Sequence, residues 1–277
     1  MANDSTKSLE GRSVDLVTTF AGRDPAVFTA QEAAAQIGLP ESRAYDLLSR
    51  LVQRGWLVRH RSGVYEVAPL WATAESPYAP ARFVALAAWL SSPYYIGFRS
   101  ALELHGWLRQ PVIGRVWIAV PTSRHSLVSS AERITWVVQR PDRFTWGLEK
   151  RWLGERSVIV SDAERTILDG LHLPRHVAGV TEIAAAIVQA WPDLDQDRLA
   201  EYLDRLGIEA VRRRLGVLLE TLPLDGASEL AARIHRSGSY RTPVLLDPSL
   251  PSSGNVDRGW GVRLNVERVE IADAGQT

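Results

Sequence analysis

The chain has no cysteine among its 277 residues. Disulfides, thiolate nucleophiles and cysteine-based zinc sites are thereby excluded together. Lysine is nearly absent as well: only Lys7 and Lys150 occur, so arginine carries almost all the basic charge. No apolar run approaches the ~18 residues that cross a bilayer. The polar start Met1-Ala2-Asn3-Asp4-Ser5 lacks the charged-then-apolar order of a signal peptide. The expectation is a soluble, cytoplasmic protein with no membrane partner. Net charge is lacking too, with 32 basic against 32 acidic residues. The whole molecule is therefore not drawn to nucleic acid, and any such affinity must be local. Neither a Gly-x-Gly-x-x-Gly fingerprint nor a P-loop occurs, and there is no internal repeat.

What is present suits a folded protein. Hydrophobic residues make up 45% of the chain, enough for a sizeable core. At roughly 100–200 residues per domain, one large or two smaller domains are expected. The punctuation suggests residues 1–70 as a first domain, 71–80 as a Pro-rich linker and 81–277 as a second domain. Within the second, helices are predicted from Phe83 to Leu90 and from Ser100 to His105, and strands over Val112–Val120 and Ile134–Gln139. Periodic helical segments follow at Asp162–Leu171, Thr181–Ala190, Arg198–Leu206 and Glu209–Leu222. A last strand is expected at Val262–Val266 and a frayed tail over Ala272–Thr277.

The N-terminal zone is the most informative. Thr29-Ala30-Gln31-Glu32 is a capping box, and Gly38 ends the helix it starts. Pro40 suits the first position of a second helix reaching Arg54. Ala44, Leu47, Leu48 and Leu51 give that helix one apolar face. Its other face carries Ser42, Arg43, Tyr45, Ser49, Arg50 and Arg54. Trp56–His60 and Val64–Val67 then read as a hairpin turning at Arg61-Ser62-Gly63. Helix, tight turn, helix and hairpin make a winged helix-turn-helix. Five arginines and a single acid, Asp46, lie between Arg43 and Arg61. Such a helix fits the major groove, where Arg43 and Arg50 share a face, while Arg59, His60 and Arg61 at the hairpin would meet flanking phosphates. The plainer reading is a solvated polar face or a protein-binding winged helix. The coincidence of basic residues with the docking surface favours DNA.

Four phrases farther on carry a resemblance. They are Tyr94-Tyr95-Ile96-Gly97 followed by Ser100–Gly106, Ser161–Asp169, Arg213–Glu220, and Leu246-Asp247-Pro248 with Asn265 beyond. In that order they resemble the AbiEi antitoxin family, predicted transcriptional regulators of viral-defence loci; Ala163 stands where that family usually has Pro. The resemblance implies an autorepressor whose winged helix binds inverted repeats in its own promoter. It also implies a C-terminal region that neutralises a nucleotidyltransferase-like toxin.

Other chemistry finds little support. His172 and His176 have zincin spacing, but Pro174 interrupts the helix and no Glu follows His172, so two surface loop histidines are expected. Asp162, Glu164 and Asp169 read as helix-capping acids, with Asp169 placed to pair with Arg165. Lys150 beside Glu149 does not make a nuclease centre. Arg205, Arg212 and Arg213 could form a second basic face, for DNA or for a toxin, or an ordinary solvated one. Trp107, Trp117, Trp136, Trp146 and Trp152 read as packing residues rather than stacking platforms.

The expected fold class is α+β, an N-terminal winged helix-turn-helix plus a larger mixed α/β C-terminal domain with a helical end. The expected function is that of a bacterial DNA-binding antitoxin and autorepressor, not an enzyme, with no catalytic residue, metal or cofactor. Its partners are double-stranded DNA and a cognate toxin. The alternatives are a regulator of another operon with a ligand- or partner-sensing C-terminal domain, and a DNA-targeted nuclease.

Overall fold

The computed structural model describes residues 9, 11–23, 26–69, 83, 93–108, 110, 115–122, 133–154, 156–236 and 240–275, without the side chains of Arg61 and Arg133. The linker expected at 71–80, and all of the helix expected from Phe83 to Leu90 except Phe83, lie outside these residues. Two compact units form. One comprises Met1–Ser92 and Lys150–Val158, the other Pro93–Glu149 and Ile159–Thr277.

The first unit runs α1 (Arg12–Ala21), β1 (Val27–Thr29), α2 (Ala30–Ile37), α3 (Glu41–Gln53), β2 (Leu57–Arg61) and β3 (Val64–Val67). The strands form an antiparallel sheet in the order β1-β3-β2. α2 begins on the capping box: the Glu32 amide donates to Thr29 Oγ1 at 3.1 Å, and the Thr29 amide donates to Glu32 Oε2 at 2.7 Å. Arg23 reaches the other Glu32 oxygen at 2.8 Å. Gly38 ends α2 in the left-handed conformation. Pro40 caps α3 rather than opening it, one position from the expectation. Ala44, Leu48 and Leu51 turn inward from α3, as their spacing predicts. They meet Leu16, Phe20, Phe28, Trp56 and Tyr65 in one apolar cluster. The Phe20 and Phe28 rings stack at 4.1 Å, and Tyr65 lies 6.1 Å beyond Phe28. α1 and β1 extend the sequence reading; the signal for α1 is the apolar set Leu16, Val17 and Phe20.

The wing departs from a solvated hairpin. All four residues of β3 are buried. The pairing of β2 with β3 shifts between Arg59 and Arg61, which leaves His60 unopposed in a bulge. A bulge re-aims side chains. The His60 imidazole is 2% exposed and lies 2.7 Å from Glu66, whose carboxylate is fully buried.

The second unit carries β4 (Tyr95–Ile96), α4 (Phe98–His105), β5 (Arg115–Val120), β6 (Arg133–Val138), β7 (Leu148–Leu153) and β8 (Arg156–Ser161). Their sheet has the order β6-β5-β4-β8-β7, and the far end of the β7–β8 hairpin is counted with the first unit. The helices α5 (Ala163–His172), α6 (Val180–Ala190), α7 (Gln196–Leu206), α8 (Glu209–Thr221) and α9 (Ala227–Ile234) follow. A small sheet of β9 (Val244–Leu245), β10 (Val256–Asp257) and β11 (Val262–Arg263) precedes α10 (Arg268–Ala274). α10 takes in Ala272–Ala274, half of the expected frayed tail, because Ile271 and Ala274 have an apolar site to fill.

Asp162 caps α5 by accepting the Arg165 amide at 2.9 Å. Arg165 and Asp169 then form a fully buried pair at 2.9 Å. Tyr95 completes it, donating to Asp169 at 2.7 Å and accepting from Arg165 at 2.9 Å. Trp117 and Trp146 are buried in the core, and Trp107 packs partly buried against it, whereas Trp152 is 59% exposed. Every residue of α8 from Val211 to Leu219 is buried, so this helix is a central one without a solvated face.

Candidate nucleic-acid interface

α3 presents its polar face outward. Ser42, Arg43, Asp46, Ser49, Arg50 and Arg54 are exposed, while Tyr45 is half-buried against the apolar cluster. Thirteen residues give a rod about 20 Å long. Arg43 and Arg50 lie two turns apart on one face and share the wall of an open cavity of about 540 Å³ with Arg12 and Ser13 of α1. Asp46 is the acid in that wall. Among the described residues, no carboxylate pairs with Arg12, Arg43, Arg50 or Arg54. Three guanidiniums around a single carboxylate make a locally basic concavity on a chain of zero net charge. Such donors suit phosphate oxygens and the O6/N7 edge of guanine. The sequence reading did not include Arg12. Its relation to α3 became visible only once the fold set the first turn of α1 on the same cavity as Arg43 and Arg50.

The hairpin contributes less than expected. Arg59 is exposed on β2. His60 turns inward to Glu66 instead of meeting phosphates, because the bulge re-aims it. The side chain of Arg61 lies outside the described residues.

The second basic face is not formed. Arg212 and Arg213 are 5% and 6% exposed. Arg212 donates to Asp204 at 2.6 Å and to the Ile234 carbonyl at 3.3 Å. Arg213 donates to the Trp260 carbonyl at 2.7 Å and also to the carbonyls of Thr242 and Gly261. Arg205 is exposed, with its guanidinium 5.2 Å from the Trp146 ring. Seven-residue spacing places side chains on one helix face but does not say whether that face meets water. The apolar residues Val211, Leu215, Val217, Leu218 and Leu219, spread around α8, were the available signal for burial.

His172 and His176 are not surface residues either. Both are partly buried, and burial pulls both pKa values down to about 4, assisted by Arg143 at His172 and by Arg175 at His176. Among the described residues, no group of acids and histidines is arranged to hold a metal ion. No helix among them is long and apolar enough to cross a membrane.

The first unit is thus a winged helix-turn-helix whose second helix, α3, has a basic outer face, followed by a larger mixed α/β region. Residues 15–68, from within α1 to just past β3, match a protein family described as a transcriptional regulator, the AbiEi antitoxin. The RV2827C protein from Mycobacterium tuberculosis has a similar fold, with a TM-score of 0.59 over 93% of this chain and 92% of that one at 15% identity. No protein with a curated description matches the chain.

Proposed function

We propose that this protein is a sequence-specific DNA-binding regulator of the AbiEi antitoxin type, acting in the cytoplasm. α3 enters the major groove, Arg43 and Arg50 read base edges, and Arg12, Arg54 and Arg59 contact backbone phosphates. The observation that carries this reading is the convergence of Arg12, Arg43 and Arg50 on one open cavity within the segment that matches the regulator family. Residues 1–70 form the DNA-binding domain, 71–80 the connection and 81–277 the antitoxin-type domain. By analogy with the family, the DNA is an inverted repeat in the protein's own promoter. The larger domain counteracts a nucleotidyltransferase-like toxin without catalysing a reaction.

Fluorescence anisotropy on the upstream DNA and on scrambled DNA, at several salt concentrations, tests the proposal. Tighter binding upstream, with log K falling linearly in log salt, is expected. Equal affinity for the two sequences would refute sequence-specific regulation.

A further inference from the structure

Within the second unit, a cavity of about 420 Å³ opens between the end of α5, the Pro174–His176 turn, the start of α8 and the Pro248–Ser249 loop. This size falls within the range of small-molecule sites. Leu173, Pro174 and Ile208 give it apolar walls, while His172, Arg175 and Arg214 bring nitrogen donors to it.

Arg214 is 6% exposed, yet no carboxylate pairs with it among the described residues. Its Nε donates to the Leu245 carbonyl at 2.9 Å and its Nη1 to the Leu171 carbonyl at 2.8 Å. Nη2 has no acceptor among the described residues. Burial pulls the guanidinium pKa down, and the charge of Asp247 acts against that. Both Asp247 oxygens are already engaged, by the Val180 amide at 2.9 Å and the Ser249 amide at 2.8 Å. Asp247 thus acts on Arg214 through space without a direct ion pair, and a buried charge without a directly bonded partner is expensive to keep.

His172 adds a second donor. Its Nδ1 lies 3.3 Å from Arg143 Nη1, which can only donate. Nδ1 is therefore the acceptor, and in the neutral ring Nε2 carries the proton. That Nε2 has no partner among the described residues.

We propose that this cavity binds a small organic acid, a monocarboxylate with an apolar body, whose carboxylate accepts from Arg214 Nη2 and His172 Nε2. Arg175 lines the cavity as an exposed residue whose Nε is already given to His176 at 3.2 Å. The buried guanidinium of Arg214 and the neutral imidazole of His172 match a single negative charge, and the apolar walls match a hydrocarbon or aromatic body. The site is independent of the DNA-binding reading.

Calorimetric titration of the full chain, without DNA, tests it with benzoate, phenylacetate and octanoate and their primary amides. The acids are expected to bind at least about tenfold tighter than the amides, because the amide lacks the charge-assisted bonds. Arg214→Gln should abolish that preference. Since Arg214 also holds two carbonyls, Ala210→Phe provides a second variant: it fills the cavity, leaves Arg214 in place and should eliminate binding. Three results would overturn the proposal: no binding by any of the acids at millimolar concentration, acids and amides binding alike, or undiminished binding in a folded Ala210→Phe protein.

Discussion

Arg156 sets its Nε 2.7 Å from Oε1 of Glu66, a residue ninety positions earlier in the chain. The same guanidinium donates to the Val67 carbonyl at 2.7 Å, and His60 holds the other Glu66 oxygen at 2.7 Å. The face of the wing that a simple hairpin would show to water is thus occupied by a buried polar cluster. Removing a charge from such a pair leaves its partner uncompensated. Glu66→Gln is expected to lower stability by about 3 kcal/mol, read from the urea midpoint at unchanged m-value. A loss below ~0.5 kcal/mol, the range of surface substitutions, would contradict the pairing.

The buried trio of Tyr95, Arg165 and Asp169 makes a graded prediction. Tyr95→Phe removes one hydrogen bond to each partner and should cost about 1–3 kcal/mol. Asp169→Asn leaves the fully buried Arg165 without its counter-charge and should cost more, about 3–5 kcal/mol. Denaturation curves of the two variants check the order. An equal or reversed cost would show that the charge pair does not hold α5 in place.

The N-terminal elements were legible because their signals are local. A capping box, a helix-stopping glycine and an apolar spacing of three and four locate α2 and α3 without knowledge of the rest of the chain. The outward arginines of α3 follow from the same periodicity. The inward turn of His60 was not legible, since it depends on one bulge and on a residue ninety positions away. The burial of Arg212 and Arg213 was not legible for a related reason. Arginines ordinarily mark a solvated face, but here they end on main-chain carbonyls around a central helix. The phrases around Tyr95, Asp169 and Asp247 lie beyond the residues 15–68 that match the AbiEi family, and they serve the scaffold. Tyr95 meets Asp169, and the Asp247 amide and carbonyl are held by the Asn265 side chain at 3.0 and 2.7 Å.

Gly216 is where α8 packs directly on Trp260. A Cβ at that position would fall 2.3 Å from the indole Cε2. Gly216→Ala is therefore expected to destabilise the protein by about 1–3 kcal/mol through overpacking, despite the better helix propensity of alanine. A thermal scan checks it, and an increase in Tm would show that the indole can move aside.

The depressed pKa values of His172 and His176 set a pH window. Both rings are neutral when folded down to about pH 4, whereas the unfolded chain protonates them near 6.5. Between those values the unfolded state binds more protons, so stability falls as pH drops from 6.5 towards 4. Above 6.5 the two histidines have no effect. The double variant His172→Gln, His176→Gln should show a shallower loss across this window by chemical denaturation. A slope identical to that of the parent protein would contradict the burial of these rings.

The central claim, that α3 reads DNA through its exposed arginines, is tested most directly by comparing promoter affinities of single variants at fixed salt. Arg43→Ala and Arg50→Ala should each lose about 1–3 kcal/mol of discrimination between promoter and scrambled DNA. Arg59→Ala should weaken both DNAs alike and flatten the salt dependence. Arg205→Ala, remote in sequence from the winged helix, should change neither. Unchanged promoter preference in folded Arg43→Ala and Arg50→Ala proteins would contradict the assignment of α3 as the recognition helix.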